Sequence, residues 1–195
     1  MYRTERLVMR EWRESDIEPF SQMCADPRVM RYFPALLTQE ESAAFVERVM
    51  QRHVDDGFGL WVVEVEGLFA GFTGLARANF ATTFTPCVEV GWRLAQWAWG
   101  KGYASEAAKE SLRIGFEEHA ISEIFSFTTE TNMPSESVMK RIGMKRRGDL
   151  DFGHPNTPGW WGQSHIVYSI DQATWAEYGG RYVFDFNPSH TRPKS

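Results

Sequence analysis

The sequence predicts a mixed α/β domain of the α+β kind, in which a largely antiparallel sheet of six to seven strands is flanked by helices. Two helix-start signals lie near the beginning, where Ser15 and Thr38 are each followed three residues later by Glu. Apolar residues then alternate over residues 60–94, and Glu66-Gly67 marks a tight hairpin turn. Two strand–helix patterns follow. This order of elements is typical of an antiparallel meander packed against helices.

Each predicted element rests on a local pattern. Glycines at 57 and 143 stand where helices should end, and the long third helix carries a stripe of small and apolar residues. The elements are a strand at Leu7–Trp12, helices over 15–24 and 38–57, strands at Leu60–Val65, Phe69–Ala76 and Val88–Leu94, a helix at Tyr103–His119, a strand at Ile124–Thr129, a helix at Pro134–Ile142 and a strand at Gln163–Ile170. Residues 1–170 form the predicted domain. Residues 171–195 form an extension whose last nine residues we expect to be disordered.

Composition excludes several classes of protein. Lys and Arg total 21 against 26 Asp and Glu, a net charge of −5, so the broad positive surface needed for sequence-independent nucleic-acid binding is not expected. Cys24 and Cys87 lie far apart outside any CxxC pattern, which argues against a disulfide framework or a zinc site. The charged first residues do not resemble a signal peptide, and Phe152–Ile170, the longest uncharged stretch, is interrupted by prolines and histidines. We expect a cytoplasmic protein with no metal, membrane or nucleic-acid partner.

A glycine-rich loop, Trp97–Ala104, lies between a predicted strand and the long helix. Glycines let the backbone approach a ligand closely, and free N–H groups at a helix start favour an anion such as a phosphate. An ordinary helix-capping turn explains the same residues equally well. Two known phosphate motifs do not fit, because a Walker A loop would need a hydroxyl residue at Gly102 and a dinucleotide fingerprint would need glycine at Ser105.

A second segment, Asn132–Met144, distinguishes these alternatives. Together with the strand Val88–Leu94 and the loop Trp99–Ala107, it resembles the GNAT superfamily of acyl-CoA-dependent N-acetyltransferases, and more narrowly the RimJ/RimL-like branch. The resemblance extends from Thr4 to Ile170 and includes the closing strand around His165–Tyr168. It does not include residues 171–195.

The resemblance implies acetyl-CoA as the co-substrate. Backbone N–H groups of the glycine loop would hold its pyrophosphate, the end of the strand Val88–Leu94 would pair with its pantetheine as an added strand, and Asn132 and Ser135 would lie beside the thioester. The residues assigned to the cofactor are Trp92, Arg93, Leu94, Trp99, Gly100, Lys101, Gly102, Tyr103, Ala104, Asn132, Ser135 and Met139.

The implied mechanism is direct attack of a neutral amine on the thioester in a ternary complex. Glu89 is the predicted base or water-positioning group, and Glu130 is the second choice. Many family members donate a proton from a tyrosine of the last helix. The matching residue here is Met139, so Ser135 becomes the predicted donor.

The acceptor is expected on the side of the sheet opposite the pantetheine entry, in a pocket lined by Phe33, Glu89, Glu130, His154 and Trp160. Two acceptor classes remain open. At pH 7 about one α-amine in seven is neutral against about one lysine in 2,500, which favours a protein N-terminus. An aromatic loop with His154 and Trp160 favours a small amine instead. A non-catalytic acyl-CoA sensor is the alternative function, and the protein is expected to be a monomer or a homodimer.

Overall fold

The computed structural model describes residues 1–178 and shows one open sheet with helices on both faces. The strands are β1 (Tyr2–Arg3), β2 (Val8–Arg10), β3 (Leu60–Val65), β4 (Leu68–Ala78), β5 (Cys87–Leu94), β6 (Glu123–Thr129), β7 (Lys145–Arg146), β8 (Phe152–Gly153) and β9 (Ser164–Asp171). Their order is β1-β2-β3-β4-β5-β6-β9-β7, with β8 also paired to β9. The mixed, mostly antiparallel architecture is confirmed. The sheet has nine strands rather than six or seven, because β1, β7 and β8 are two-residue strands without a recognisable alternating pattern.

Five α-helices accompany the sheet in the described chain. They are α1 (Ile17–Cys24), α2 (Gln39–Asp56), α3 (Tyr103–Arg113), α4 (Met133–Arg141) and α5 (Gln172–Tyr178). The capping box at Thr38 and Glu41 is confirmed, with both reciprocal hydrogen bonds present. The predicted box at Ser15 is wrong, because Ser15 lies inside a short 3-10 turn, Glu14–Asp16, where the Asp16 carboxylate accepts from the N–H of Arg13. The long helix after the glycine loop continues beyond α3 as a π-helical turn, Ile114–Glu118.

The two faces of the sheet bury separate hydrophobic cores. One face packs against α3 and α4, with Leu75, Val90 and Met139 in its core. The other face packs against α1 and α2, with Phe20, Val46 and Phe72 in its core. We call this second side the α1–α2 face. Side chains alternate between the two faces along a strand, and residues paired across two strands share a face. The β4–β5 register therefore fixes which residues of β5 lie on the α1–α2 face.

The junction between β5 and β6 is where the sheet opens. These two strands are parallel, and their ladder consists of two pairs, Val88–Ile124 and Glu89–Phe125. In the described chain, the C-terminal halves of both strands have no partner across the junction. On its other edge β5 remains fully paired to β4, from Cys87 to Leu94. The free edge of β5 therefore presents main-chain groups to a cleft that widens toward Leu94.

The chain continues as packed structure beyond the predicted domain end at residue 170. Trp175 on α5 is 7% exposed, its ring stacks on Phe116 with centroids 5.6 Å apart, and its indole N–H donates to Glu117. The expectation of a disordered tail concerns residues outside the described part of the chain. Among the described helices, none combines the length and the apolar composition that crossing a membrane requires.

Candidate active site

The glycine loop forms a backbone cradle at the start of α3. Gly100 and Gly102 have φ of +73° and +83°, a left-handed conformation that other residues rarely adopt. A side chain at Gly100 would meet open space, and the helix cap at Gly102 makes no side-chain hydrogen bond. The first N–H groups of α3, at Tyr103, Ala104 and Ser105, have no intrahelical acceptor. The cradle therefore fits an anionic group the size of a pyrophosphate.

A buried carboxylate that the sequence analysis missed holds this cradle. Glu106 is 7% exposed and accepts hydrogen bonds from the Thr4 hydroxyl and from both the backbone N–H and Nε of Arg6, at 2.6, 2.9 and 2.7 Å. Arg6 in turn donates to the carbonyl of Lys101 at 2.9 Å and stacks over the Tyr103 ring. The N-terminal segment thus fixes the loop from a hundred residues away, a relation that no local pattern could indicate.

The end of β5 is fastened to the same loop. The indole N–H of Trp99 donates to the carbonyl of Leu94 at 2.8 Å, so Trp99 positions the strand end as well as lying in the loop. Trp92 packs against the core on the α3–α4 side, whereas the Arg93 side chain lies on the α1–α2 face against Phe33 and Phe72. Lys101 lies with its ammonium over the ring of Trp97.

The start of α4 lies directly after the C-terminal end of β6. Asn132 is 9% exposed and caps the helix: its side chain accepts from the N–H of Ser135 and donates to Thr128. The Ser135 hydroxyl is half-buried and makes no hydrogen bond with a described residue. Met139 is 1% exposed in the core, so it holds α4 against the sheet and offers little surface to a ligand.

Glu89 lies at the point where β5 and β6 separate, on the α1–α2 face. Burial raises the pKa of Glu89 to about 7, and the positive charge of Arg52 on α2 opposes this shift. In the described chain its carboxylate has no hydrogen-bond or ion-pair partner. A carboxyl group with a pKa near 7 can both accept and release a proton at neutral pH, as a general base must.

A group of aromatic rings continues from Glu89 across the α1–α2 face, and we call it the ring cluster. It comprises Phe80, Phe84, Phe125, Phe127, Phe152, His154 and His165. Phe125 pairs with Glu89 across the β5–β6 ladder, and its ring stacks on that of Phe84. The centroid of the His154 ring lies 4.6 Å from that of Phe80 and 5.1 Å from that of His165. Burial lowers the pKa of both histidines. The sequence predicted only His154 of this cluster, because its other members come from four separate segments.

The structure places the remaining predicted acceptor residues on different segments of the chain. Phe33 lies under the Arg93 guanidinium, Glu130 is exposed beyond β6, and the Trp160 ring is tilted by 53° against that of Trp161, with centroids 5.1 Å apart. A cavity of 180 Å³ does lie between α2 and the sheet, with Arg48, Arg52 and Asp56 in its lining, and it contains none of the five predicted residues. Residues 1–178 contain no group of three or more His, Cys, Asp or Glu arranged to hold a metal ion.

Comparison with known proteins identifies the scaffold. The model of the acetyltransferase (GNAT) domain matches residues 6–145, most of the chain. The chain belongs to the GNAT acetyltransferase family. It is 31% identical to the uncharacterized N-acetyltransferase YnaD of Bacillus subtilis, over 88% of this chain and 97% of that protein. It is also 31% identical to the FsC-acetyl coenzyme A-N(2)-transacetylase of Aspergillus fumigatus, over 77% and 67% of the two chains.

A solved GNAT structure confirms the fold. The GNAT acetyltransferase of Bacillus anthracis superimposes with a TM-score of 0.72 at 30% identity, covering 88% of this chain and 98% of that one. The protein is therefore an N-acetyltransferase enzyme of the GNAT family.

Proposed function

We propose that this GNAT enzyme transfers an acetyl group from acetyl-CoA to a primary amine by direct attack in a ternary complex. The observation that carries the proposal is the position of Glu89, an unpaired carboxyl group at the point where the free edge of β5 begins. The free edge of β5 leads to the glycine cradle. A base (Glu89), an unpaired strand edge and an anion site therefore follow one another along the chain.

Acetyl-CoA fits the cleft by the chemistry of its parts. The backbone N–H groups around Gly100, Gly102 and Ala104 suit its pyrophosphate, and the unpaired main chain of Trp92–Leu94 suits the pantetheine amides. The A. fumigatus relative carries acetyl coenzyme A in its name, which supports the same donor here. When bound, acetyl-CoA supplies an activated carbonyl carbon attached to sulfur.

Two side chains of the enzyme move the protons. Glu89 accepts a proton from the incoming amine, so that a neutral nitrogen forms the new C–N bond as the C–S bond of the thioester breaks. Ser135 then donates its proton to the departing sulfur and regains one from the acetylated nitrogen, which must lose its second proton to become the amide. The Ser135 hydroxyl is available because Asn132 rather than Ser135 caps α4. The ordinary scheme of a nucleophilic cysteine is disfavoured, because burial raises the pKa of Cys87 to about 12 and keeps its thiol protonated.

The acceptor approaches over the α1–α2 face, where Phe33, Arg93, Glu89 and the ring cluster lie. We place the chain in the RimJ/RimL-like branch on its motifs, in a cytoplasmic setting, and acceptors of that branch include protein N-termini. The half-buried ring cluster, in which burial lowers the pKa of both histidines, favours a small amine. Of the two, we propose the small amine, since the ring cluster offers half-buried aromatic faces directly beside Glu89.

Release of free CoA tests this function. Purified enzyme with acetyl-CoA and a panel of small amines and N-terminal peptides should release the CoA thiol only when an acceptor is present. Gly102→Glu serves as the matched inactive enzyme. Acetyl-CoA binding without release of CoA for any amine would contradict the proposal and favour an acyl-CoA sensor.

A further inference from the structure

Arg93 is a cation without a counter-charge on the α1–α2 face of β5. Its guanidinium carbon lies 3.9 Å from the centre of the Phe33 ring, and its Nη1 donates to the Cys24 sulfur at 3.1 Å. Within residues 1–178 it has no carboxylate partner. Its Nε is buried and has no hydrogen-bond partner. Buried charged groups are normally paired and buried donors are normally satisfied, so this arrangement calls for a partner that comes from outside the chain.

The guanidinium offers a defined edge to such a partner. Nη1 is already engaged by Cys24, which leaves Nε and Nη2, the two donors that share the other edge. Two parallel N–H groups match the two oxygens of a carboxylate. Because one guanidinium supplies one positive charge, a monovalent carboxylate is better balanced at this position than a phosphate dianion.

Gly91 leaves room for a ligand between Arg93 and Glu89. The three residues alternate along β5 and therefore share the α1–α2 face, with Glu89 and Arg93 about 13 Å apart between Cα atoms at the usual rise per residue. A Cβ added at Gly91 would meet nothing within 4 Å, and the backbone there does not require glycine. The base and the unpaired cation are thus separated by open space rather than by a side chain.

We propose that the acceptor is an amine that also carries a carboxylate, and that the Nε–Nη2 edge of Arg93 binds this carboxylate while the amine lies over Gly91 beside Glu89. This inference rests on the proposed function. It narrows the acceptor from any small amine to an amino acid or a compound that keeps both groups. Arg93 is then the residue that selects the acceptor, and Phe33 and Cys24 hold its guanidinium in place.

Matched pairs of acceptors test the selection. Amino acids, including β-alanine and 4-aminobutyrate, are compared with their carboxamides at equal concentrations of neutral amine, because the amides have more acidic ammonium groups. Wild-type kcat/KM should favour the acids by about 10- to 100-fold, the usual effect of a hydrogen bond to a charged group. Arg93→Met should remove this preference by lowering kcat/KM for the acids toward the value for the matching amides.

Other variants separate selection from stability. Arg93→Lys keeps the positive charge but not the two parallel N–H donors of the guanidinium. This variant should lose part of the preference for acids over amides. Gly91→Val should fill the open space and lower kcat/KM for the acids with unchanged acetyl-CoA binding. Arg31→Met removes an exposed arginine from the segment between α1 and α2 and serves as the control, since it should leave the preference intact.

Each outcome decides the question. Equal rates for acids and amides, or an equal fall for both in folded Arg93→Met, would overturn the inference while the acetyltransferase proposal stands. If no amine is acetylated, calorimetry with N-acetylamino acids and CoA remains informative. Binding that Arg93→Met abolishes would support the carboxylate site although the proposed function fails, and an absence of binding to the wild type would overturn both.

Discussion

Glu89 on β5 pairs with Phe125 on β6, and beyond this pair the two parallel strands separate. The relationship places an acidic side chain at the mouth of a cleft whose wall is the unpaired main chain of β5. It also joins two features that the sequence keeps apart, the carboxyl group and the ring cluster that begins at Phe125. The chemistry we propose depends on this one junction.

The glycine cradle gives the first prediction. Gly102→Glu should abolish acetyl-CoA binding, because the left-handed backbone there disfavours any side chain and the added negative charge would repel the pyrophosphate. Gly67→Glu is the matched control, since Gly67 is also left-handed, with φ of +79°, and lies in the remote β3–β4 turn. Isothermal calorimetry checks both variants. Wild-type affinity in a folded Gly102→Glu enzyme would contradict the phosphate assignment.

The anchor beneath the cradle gives the second prediction. Glu106→Gln should raise the Kd of acetyl-CoA and lower the free energy of unfolding by about 1–3 kcal/mol, because it removes charge-assisted hydrogen bonds from Arg6 and Thr4. Glu110→Gln, one turn later on α3 and paired with Arg113, should leave acetyl-CoA affinity unchanged. Urea unfolding and calorimetry measure the two effects. An unaltered Kd in Glu106→Gln would mean that the loop holds its shape without this anchor.

Ser135 provides a third prediction, on the departing sulfur. Ser135→Ala should lower kcat by about 100-fold, the lower end for a positioned proton donor, while acetyl-CoA still binds normally. Ser137→Ala is the control, because that hydroxyl lies two residues along α4 and donates to the Met133 carbonyl. Single-turnover kinetics would isolate the chemical step. If its rate is unchanged, Ser135 has a structural role only.

The histidines of the ring cluster predict how stability depends on pH. Burial lowers the pKa of His154, and the neighbouring His165 lowers it further, so the folded protein favours the neutral ring. The unfolded chain then binds more protons below its own pKa near 6.5, and stability should fall as the pH decreases from 6.5. His154→Phe keeps an aromatic ring without a titrating group and should lose less stability between pH 7.5 and 5.5 in urea unfolding. Equal losses for the two proteins would show that His154 does not titrate on unfolding.

Local patterns in the sequence predicted the main elements of the fold well. Thr38 with Glu41, and the turn at Glu66-Gly67, are decided by a few neighbouring residues, so their chemistry can be recognised without a structure. The two-residue strands β1, β7 and β8 could not be predicted, since their pairing partners, rather than their own residues, create them.

The site was predicted less completely than the fold, for the same physical reason. The hydrogen bonds between Arg6 and Glu106 join segments a hundred residues apart, and the ring cluster gathers rings from the β4–β5 loop and strands β6, β8 and β9. The capping role of Ser15 was mistaken because Asp16, which Arg10 of β2 also binds, accepts from the N–H of Arg13 and starts the turn there. Long-range partners of this kind leave no signal in residue spacing.

The pH dependence of Glu89→Gln tests the central claim most directly. With an acceptor whose ammonium pKa lies well above 7, wild-type kcat/KM should rise with an apparent pKa of about 7, as Glu89 loses its proton and becomes a base. Glu89→Gln should instead follow the ionisation of the free amine at higher pH, so the ratio of wild-type to variant kcat/KM should fall as the pH rises, while the Kd of acetyl-CoA stays within about twofold. A ratio that is the same at every pH would mean that Glu89 only binds the cationic amine, and a ratio of one throughout would remove Glu89 from the mechanism.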